Sequence, residues 1–146
     1  MAICTFFGHR DCPDSIRLKL REVLVDLITQ YNVDMFFVGN QGKFDSTAHS
    51  VLQNLKNEYP QINYAVVLAY MPSKQTKCDD TMLPEGIESI HPRYAISWRN
   101  NWMLQQSDYV VTYITHSWGG AAQYAKKAKK MNKHIIVLGR LESNNA

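Results

Sequence analysis

The chain predicts an α/β domain, a doubly wound and mostly parallel sheet of five strands with helices on both faces. Short continuous apolar runs recur along it, as strands buried on both faces require. Stretches in which apolar residues return at helical spacing separate them. The loops rich in glycine and charge all follow apolar runs, and a parallel sheet gathers such loops at the carboxyl ends of its strands.

Each element has its own warrant. Ile3 to Phe7 is the first strand, and the first helix runs from about Pro13 to Tyr31, with Ile16, Leu20, Val23, Leu24 and Leu27 at helical spacing. Met35 to Val38 is the second strand; Ala48, Val51, Leu52 and Leu55 form the inner stripe of the second helix. Tyr64 to Leu68 is the third strand, followed by a polar, proline-containing loop from Tyr70 to Pro92. A helix around Ile96 to Gln106, a strand at Tyr109 to Tyr113, a helix from Gly120 to Met131 and a strand at Ile135 to Leu138 complete the alternation. Residues 1–140 read as one domain and 141–146 as a frayed tail.

Composition narrows the class. With 146 residues, 45% hydrophobic and 20% charged, the chain has enough apolar surface for a single core. Its net charge of +3 is too small by itself to imply a polyanion partner. Ala2 to Phe7 is shorter than a membrane span and lacks the pattern of a signal peptide, so a soluble cytoplasmic protein without a membrane partner is expected. The cysteines Cys4, Cys12 and Cys78 are odd in number and unpaired in spacing, and read as reduced thiols.

The most informative stretch is Thr115-His116-Ser117-Trp118-Gly119-Gly120-Ala121-Ala122. A strand that turns on paired glycines into a helix leaves backbone N–H groups unpaired at the positive end of the helix dipole. No Asp or Glu occupies that first turn, so it reads as a phosphate seat. Gly8-His9-Arg10-Asp11-Cys12-Pro13 and Gly39-Asn40-Gln41-Gly42-Lys43-Phe44-Asp45 belong on the same edge. The second of these is neither a Walker loop nor a dinucleotide fingerprint. Its glycines equally suit a plain turn, with Asp45 capping the helix, and Asp11 and Asp14 suit first-turn acids. His9 and Cys12 are half a metal site that Cys4, Cys78 and His91 are not spaced to complete, so no metal is expected. Arg93 and Arg99 suit forked contacts to phosphate, although Arg93 equally suits an ion pair with Asp79, Asp80, Glu85 or Glu88. Trp98, Trp102 and Trp118 suit base stacking or core. Lys126, Lys129, Lys130 and Lys133 form a basic stripe, ordinarily a solvated face.

Taken together, Thr5 to Arg10, Val38 to Asp45, Trp98 to Leu104 and Ser117 to Gly120 resemble the SLOG superfamily of Rossmann-like domains. It includes the DNA-processing Smf proteins, the LONELY GUY phosphoribohydrolases and small bacterial members such as the YpsA-like group, which this pattern approaches most. The resemblance spans about Ile3 to Leu138. It implies a nucleotide-like ligand across the strand ends, with phosphate near Gly119 and Gly120. Against the LONELY GUY pattern, Arg99 matches an arginine, but Asn100 replaces a lysine, Gly120 a threonine and Gln123 the catalytic glutamate. A neutral amide serves poorly where an N-glycosidic bond must break.

The expectation is therefore a sensor or effector module for a nucleotide-derived small molecule, needing no cofactor, open to homodimerisation, with nucleic acid a disfavoured partner. Its ligand residues are Gly8, His9, Arg10, Gly39, Gly42, Asp45, Arg93, Arg99, Ser117, Trp118, Gly119 and Gly120. One alternative is an N-glycosidase acting on a nucleoside monophosphate through Asp45, His9 or His116. The other is a single-stranded nucleic-acid-binding protein that uses the lysine stripe.

Overall fold

Alternation along the strands decides which helices each face receives. In a computed structural model that describes residues 2–72 and 80–139, β1 (Ala2–Gly8) turns Cys4 and Phe6 to one face and Ile3 and Phe7 to the other. In the same way β2 (Val33–Val38) sends Phe36 and Val38 one way and Met35 and Phe37 the other. The first face is covered by α1 (Ile16–Gln30) and α2 (Lys43–Glu58), through Leu20, Leu24 and Leu27 and through Ala48, Val51, Leu52 and Leu55. The second is covered by α3 (Ala95–Gln106) and α4 (Gly120–Lys130), through Met103, Leu104, Tyr124 and Ala128.

The remaining strands are β3 (Asn63–Val67), β4 (Thr81–Met82), β5 (Tyr109–Tyr113) and β6 (His134–Gly139). Their order is β4-β3-β2-β1-β5-β6, and every pairing is parallel. The five-stranded expectation is thus corrected to six. β4 has only two residues, too few for any periodicity to show. It is held by Val66 N–H to the Asp80 carbonyl at 2.7 Å and Leu68 N–H to the Met82 carbonyl at 2.8 Å.

The first helix starts at Ile16, later than expected, because residues 13–15 form a turn before it. Asp14 consequently lies outside the first helical turn and pairs with Lys43 at 2.6 Å, while Asp11 sits on the sheet edge. Cys4 and Cys12 are free and buried. Cys78, Asp79 and the expected tail at 141–146 lie outside the described residues. Among the described residues no helix is long and apolar enough to cross a membrane.

β1 lies between β2 and β5, and the chain runs outward in opposite directions from it. Such a reversal parts the loops that follow its two central strands and opens a crevice at their carboxyl ends. Here those loops are the ones after Gly8 and after Tyr113.

Candidate functional site

A cleft of about 400 Å³ occupies that crevice, lined from β1 and its loop by Gly8, His9, Arg10 and Asp11, from α2 by Asp45, and from α3 by Arg99. His116, Trp118, Gly119 and Gly120 close it from the opposite side. The loops following β1, β2 and β5 thus converge on one edge.

Three aromatic rings form a column at its mouth. His9 stacks on His116 with centroids 3.5 Å apart and planes at 15°, and His116 stacks on Trp118 at 3.6 Å and 18°. His116 N–H donates to His9 Nε2 at 3.4 Å, and the His116 Nδ1 is 2.9 Å from the Trp118 carbonyl. Burial and the neighbouring His116 lower the pKa of His9. The column passes from an inner ring 5% exposed to an indole 71% exposed.

Beside the column begins α4. Gly119, at φ 95°, turns the chain in the left-handed region that favours glycine. No side chain caps this helix end, and its first turn holds no acid. At Gly120 nothing lies within 4 Å of the space a side chain would take.

The floor is polar and enclosed. Arg99 is only 1% exposed, the largest side chain so thoroughly buried. Its Nη1 donates to the Val67 carbonyl at 2.8 Å and to Asn40 Oδ1 at 3.0 Å, and its Nε to Asn100 Oδ1 at 2.9 Å. Among the described residues these bonds use Nε and Nη1. Burial lowers the pKa of Arg99, an effect opposed by the charge of Asp45. Asp45 is 9% exposed and accepts the Gln41 N–H at 2.9 Å. Burial pushes its carboxyl up to about 6, with the Gln41 N–H, Arg99 and Arg10 pulling the other way. Asp45 Oδ2 and Arg99 Nη1 flank the space above Gly39, 2.8 and 3.4 Å from where a Cβ would stand. Asp45 therefore does not cap α2, whose N-cap is Gly42 with no side-chain cap bond; it sits in the first turn, reaches back to the Gln41 N–H and lines the cleft.

The other expected residues divide. Gly42, at φ 92°, lets Arg10 lie across it: a Cβ there would stand 2.7 Å from the Arg10 Cα. Arg10 then reaches Gln41 Oε1 at 2.7 Å. Gly39, Gly42 and Ser117 are not among the lining residues. Arg93 is also outside, exposed on a short 3-10 turn (Pro92–Tyr94) with its guanidinium 5.7 Å from the Tyr94 ring centre. Trp102 packs on Phe37 in the core, and Trp98 is half-buried. Gln123 is exposed and absent from the lining. Among the described residues no three His, Cys, Asp or Glu side chains converge to hold a metal.

Several contributors escape sequence reasoning. Asn40 and Asn100 hold Arg99, and Ile96, Met103 and Tyr124 wall the cleft. The helical spacing of Met103 and Tyr124 marks them as buried, and nothing in it marks them as cleft.

Among solved structures, DNA processing protein A from Streptococcus pneumoniae superposes with a TM-score of 0.65 and 14% identity, over 94% of this chain and 50% of that one. DNA processing protein A from Helicobacter pylori, described by its single-stranded DNA binding mode, superposes with a TM-score of 0.59 and 15% identity, over 93% and 64%. This is a Rossmann-like fold carried by DNA-processing proteins. The chain spans about half to two thirds the length of those neighbours. No family profile and no curated protein matches it. Both of these neighbours are DNA-processing proteins, and closeness to the YpsA-like members is not shown. It also corrects the expectation that disfavours nucleic acid, because one carrier of this fold is itself described as binding single-stranded DNA. That expectation rested on a net charge of +3, which says little about the local field of a cleft.

Proposed function

We propose that this domain binds single-stranded nucleic acid across the carboxyl edge of its sheet, seating one backbone phosphate at the start of α4 and stacking one base on Trp118. The observation that carries the reading is the column of His9, His116 and Trp118, which ends in an exposed indole beside an acid-free, uncapped helix terminus. The ring spacings of 3.5 and 3.6 Å are those of stacked bases, so an unpaired base continues the column as its next ring. Bases in a duplex have no free face to offer. The helix terminus supplies unpaired N–H groups and partial positive charge to the phosphate. Likeness to a single-stranded-DNA-binding protein supports the same reading.

The lysine stripe has a subordinate part. Lys126, Lys129 and Lys130 are exposed, but the stripe begins about 9 Å along α4 from Gly120 and runs away from the cleft. It adds salt-sensitive attraction at the flank.

Fluorescence anisotropy with an oligothymidylate tests the proposal. Binding is expected to favour the single strand over a duplex of equal length, and Trp118→Ala is expected to weaken it by about 1–3 kcal/mol. Equal affinity for the duplex, or an unaffected Trp118→Ala, refutes it. A second reading, a free nucleotide in the same place, is favoured by the cleft volume of about 400 Å³, within the range of small-molecule sites.

A further inference from the structure

The charges lining the cleft are balanced. Arg10 and Arg99 bring two positive groups, Asp11 and Asp45 two negative ones. His9 and His116 add charge only when protonated. What remains to attract an anion is chiefly the start of α4, equivalent to about half a positive charge.

Asp45 is the unusual member of this set. It is buried on the cleft wall, with a single backbone N–H at 2.9 Å on its Oδ2 and no direct ion pair among the described residues. Arg99 from α3 and Arg10 from the loop after β1 act on it, and the other titratable groups lining the cleft are His9 and Asp11 from that loop, His116 from the loop after β5 and Tyr124 from α4. Its carboxylate is thus under-neutralised inside a site built for anions. Asp45 and the start of α4 line the same cleft of about 400 Å³, whose span is on the order of the Debye length, ~8 Å.

Resting on the function proposed above, we propose that Asp45 is the specificity-determining residue of the cleft, admitting the single charge of a phosphodiester and rejecting the double charge of a terminal phosphate. Placing a second unit charge ~7 Å from a carboxylate, at an effective dielectric of about 20, costs more than tenfold in affinity. A strand interior carries one charge per phosphate, whereas a nucleoside monophosphate carries nearly two above pH 7. The same residue therefore separates nucleic acid from the free nucleotides that share its chemistry. The elevated pKa of Asp45 fits a carboxylate already short of neutralising partners.

The test is competition at pH 8 against a labelled oligothymidylate without a terminal phosphate. The competitors are thymidine 5′-monophosphate and its methyl ester, which differ by one methyl group and one charge. The ester is expected to displace the oligomer at least about tenfold more effectively from the wild type, and Asp45→Asn to close most of that gap. Asp45→Ser provides the same test without an amide in the wall. Equal competition in the wild type, competition by neither, or a gap that survives both substitutions overturns the inference. If the oligomer itself does not bind, the proposed function fails and this inference falls with it.

Discussion

Replacing Arg99 with methionine is the perturbation that most directly tests how the site is built. Methionine keeps most of the buried volume and removes the guanidinium, so the Val67 carbonyl and the amide oxygens of Asn40 and Asn100 lose their donor. Hydrogen bonds from a charged donor are worth about 1.5–3 kcal/mol each, and a stranded buried acceptor costs about 1–3 kcal/mol. Against this, arginine no longer has to be dehydrated, and a buried methionine side chain regains about 1.5–3 kcal/mol. The two asparagines can re-aim, while the Val67 carbonyl is fixed in the sheet. The net loss is about 3 kcal/mol, which in a chain of this size lowers Tm by on the order of 10 °C. The loss also depends on pH. Above pH 6 the ionised Asp45 loses its nearby cation, and well below pH 6 it is protonated and indifferent. Thermal and urea unfolding at pH 8 and pH 5 should therefore show a larger loss at pH 8, and adding Asp45→Asn should recover part of it. A loss under about 1 kcal/mol, or one equal at both pH values, would refute the reasoning. Arg99 would then be a free ligand arm, as the sequence suggests, and not also a strut.

Three further outcomes are expected. In the wild type Asp45 titrates near 6 when folded, above its ordinary value of 3.8, so its protonation favours the fold. That contribution is complete below pH 3.8 and is lost as pH rises through 6. Asp45→Asn should accordingly stabilise the protein at pH 8 by up to about 3 kcal/mol and lose this advantage by pH 4, as unfolding curves at the two pH values will show. Gly8→Ala should destabilise by about 1–3 kcal/mol, because its methyl group would stand 2.2 Å from Cδ2 of the fully buried Phe44. Pairing it with Phe44→Leu should recover stability, and failure to do so counts against the overlap as the cause. Gly120→Asp should leave the melt of the free protein nearly unchanged, since its site is open. It should also abolish the thermal shift produced by oligothymidylate; an undiminished shift rules out the phosphate seat.

The sheet was legible because its strands are buried on both faces, and continuous apolar runs such as Tyr109 to Tyr113 have few other uses. The second strand is two residues longer than the run Met35 to Val38, because Val33 is itself buried in the core and only the polar Asp34 interrupts the apolar pattern. β4 left no trace because two residues carry no period. In the site, the glycine turns and His9, His116 and Trp118 were visible as residue types in the right loops. Their stacking was not, since ring orientation depends on the join between His9 and the Tyr113 carbonyl at 3.2 Å, a contact across more than a hundred residues. Arg99 was visible as a charge but not as the largest fully buried side chain among the described residues, because its partners Asn40 and Val67 come from other elements.

The central place of β1 also sets an order of events. Cys4 pairs with Tyr109 and Gly8 with Tyr113, so β1 keeps an open edge until β5, which follows it by about a hundred residues, is made. Before then β1, β2 and β3 can form a half-sheet under α1 and α2, but the half-sheet has no cleft. Closing that late, distant pairing creates the binding edge and removes an exposed strand edge in one step. Any substitution that delays β5 therefore prolongs an aggregation-prone intermediate, and binding competence waits on the strand and on the start of α4 that follows it.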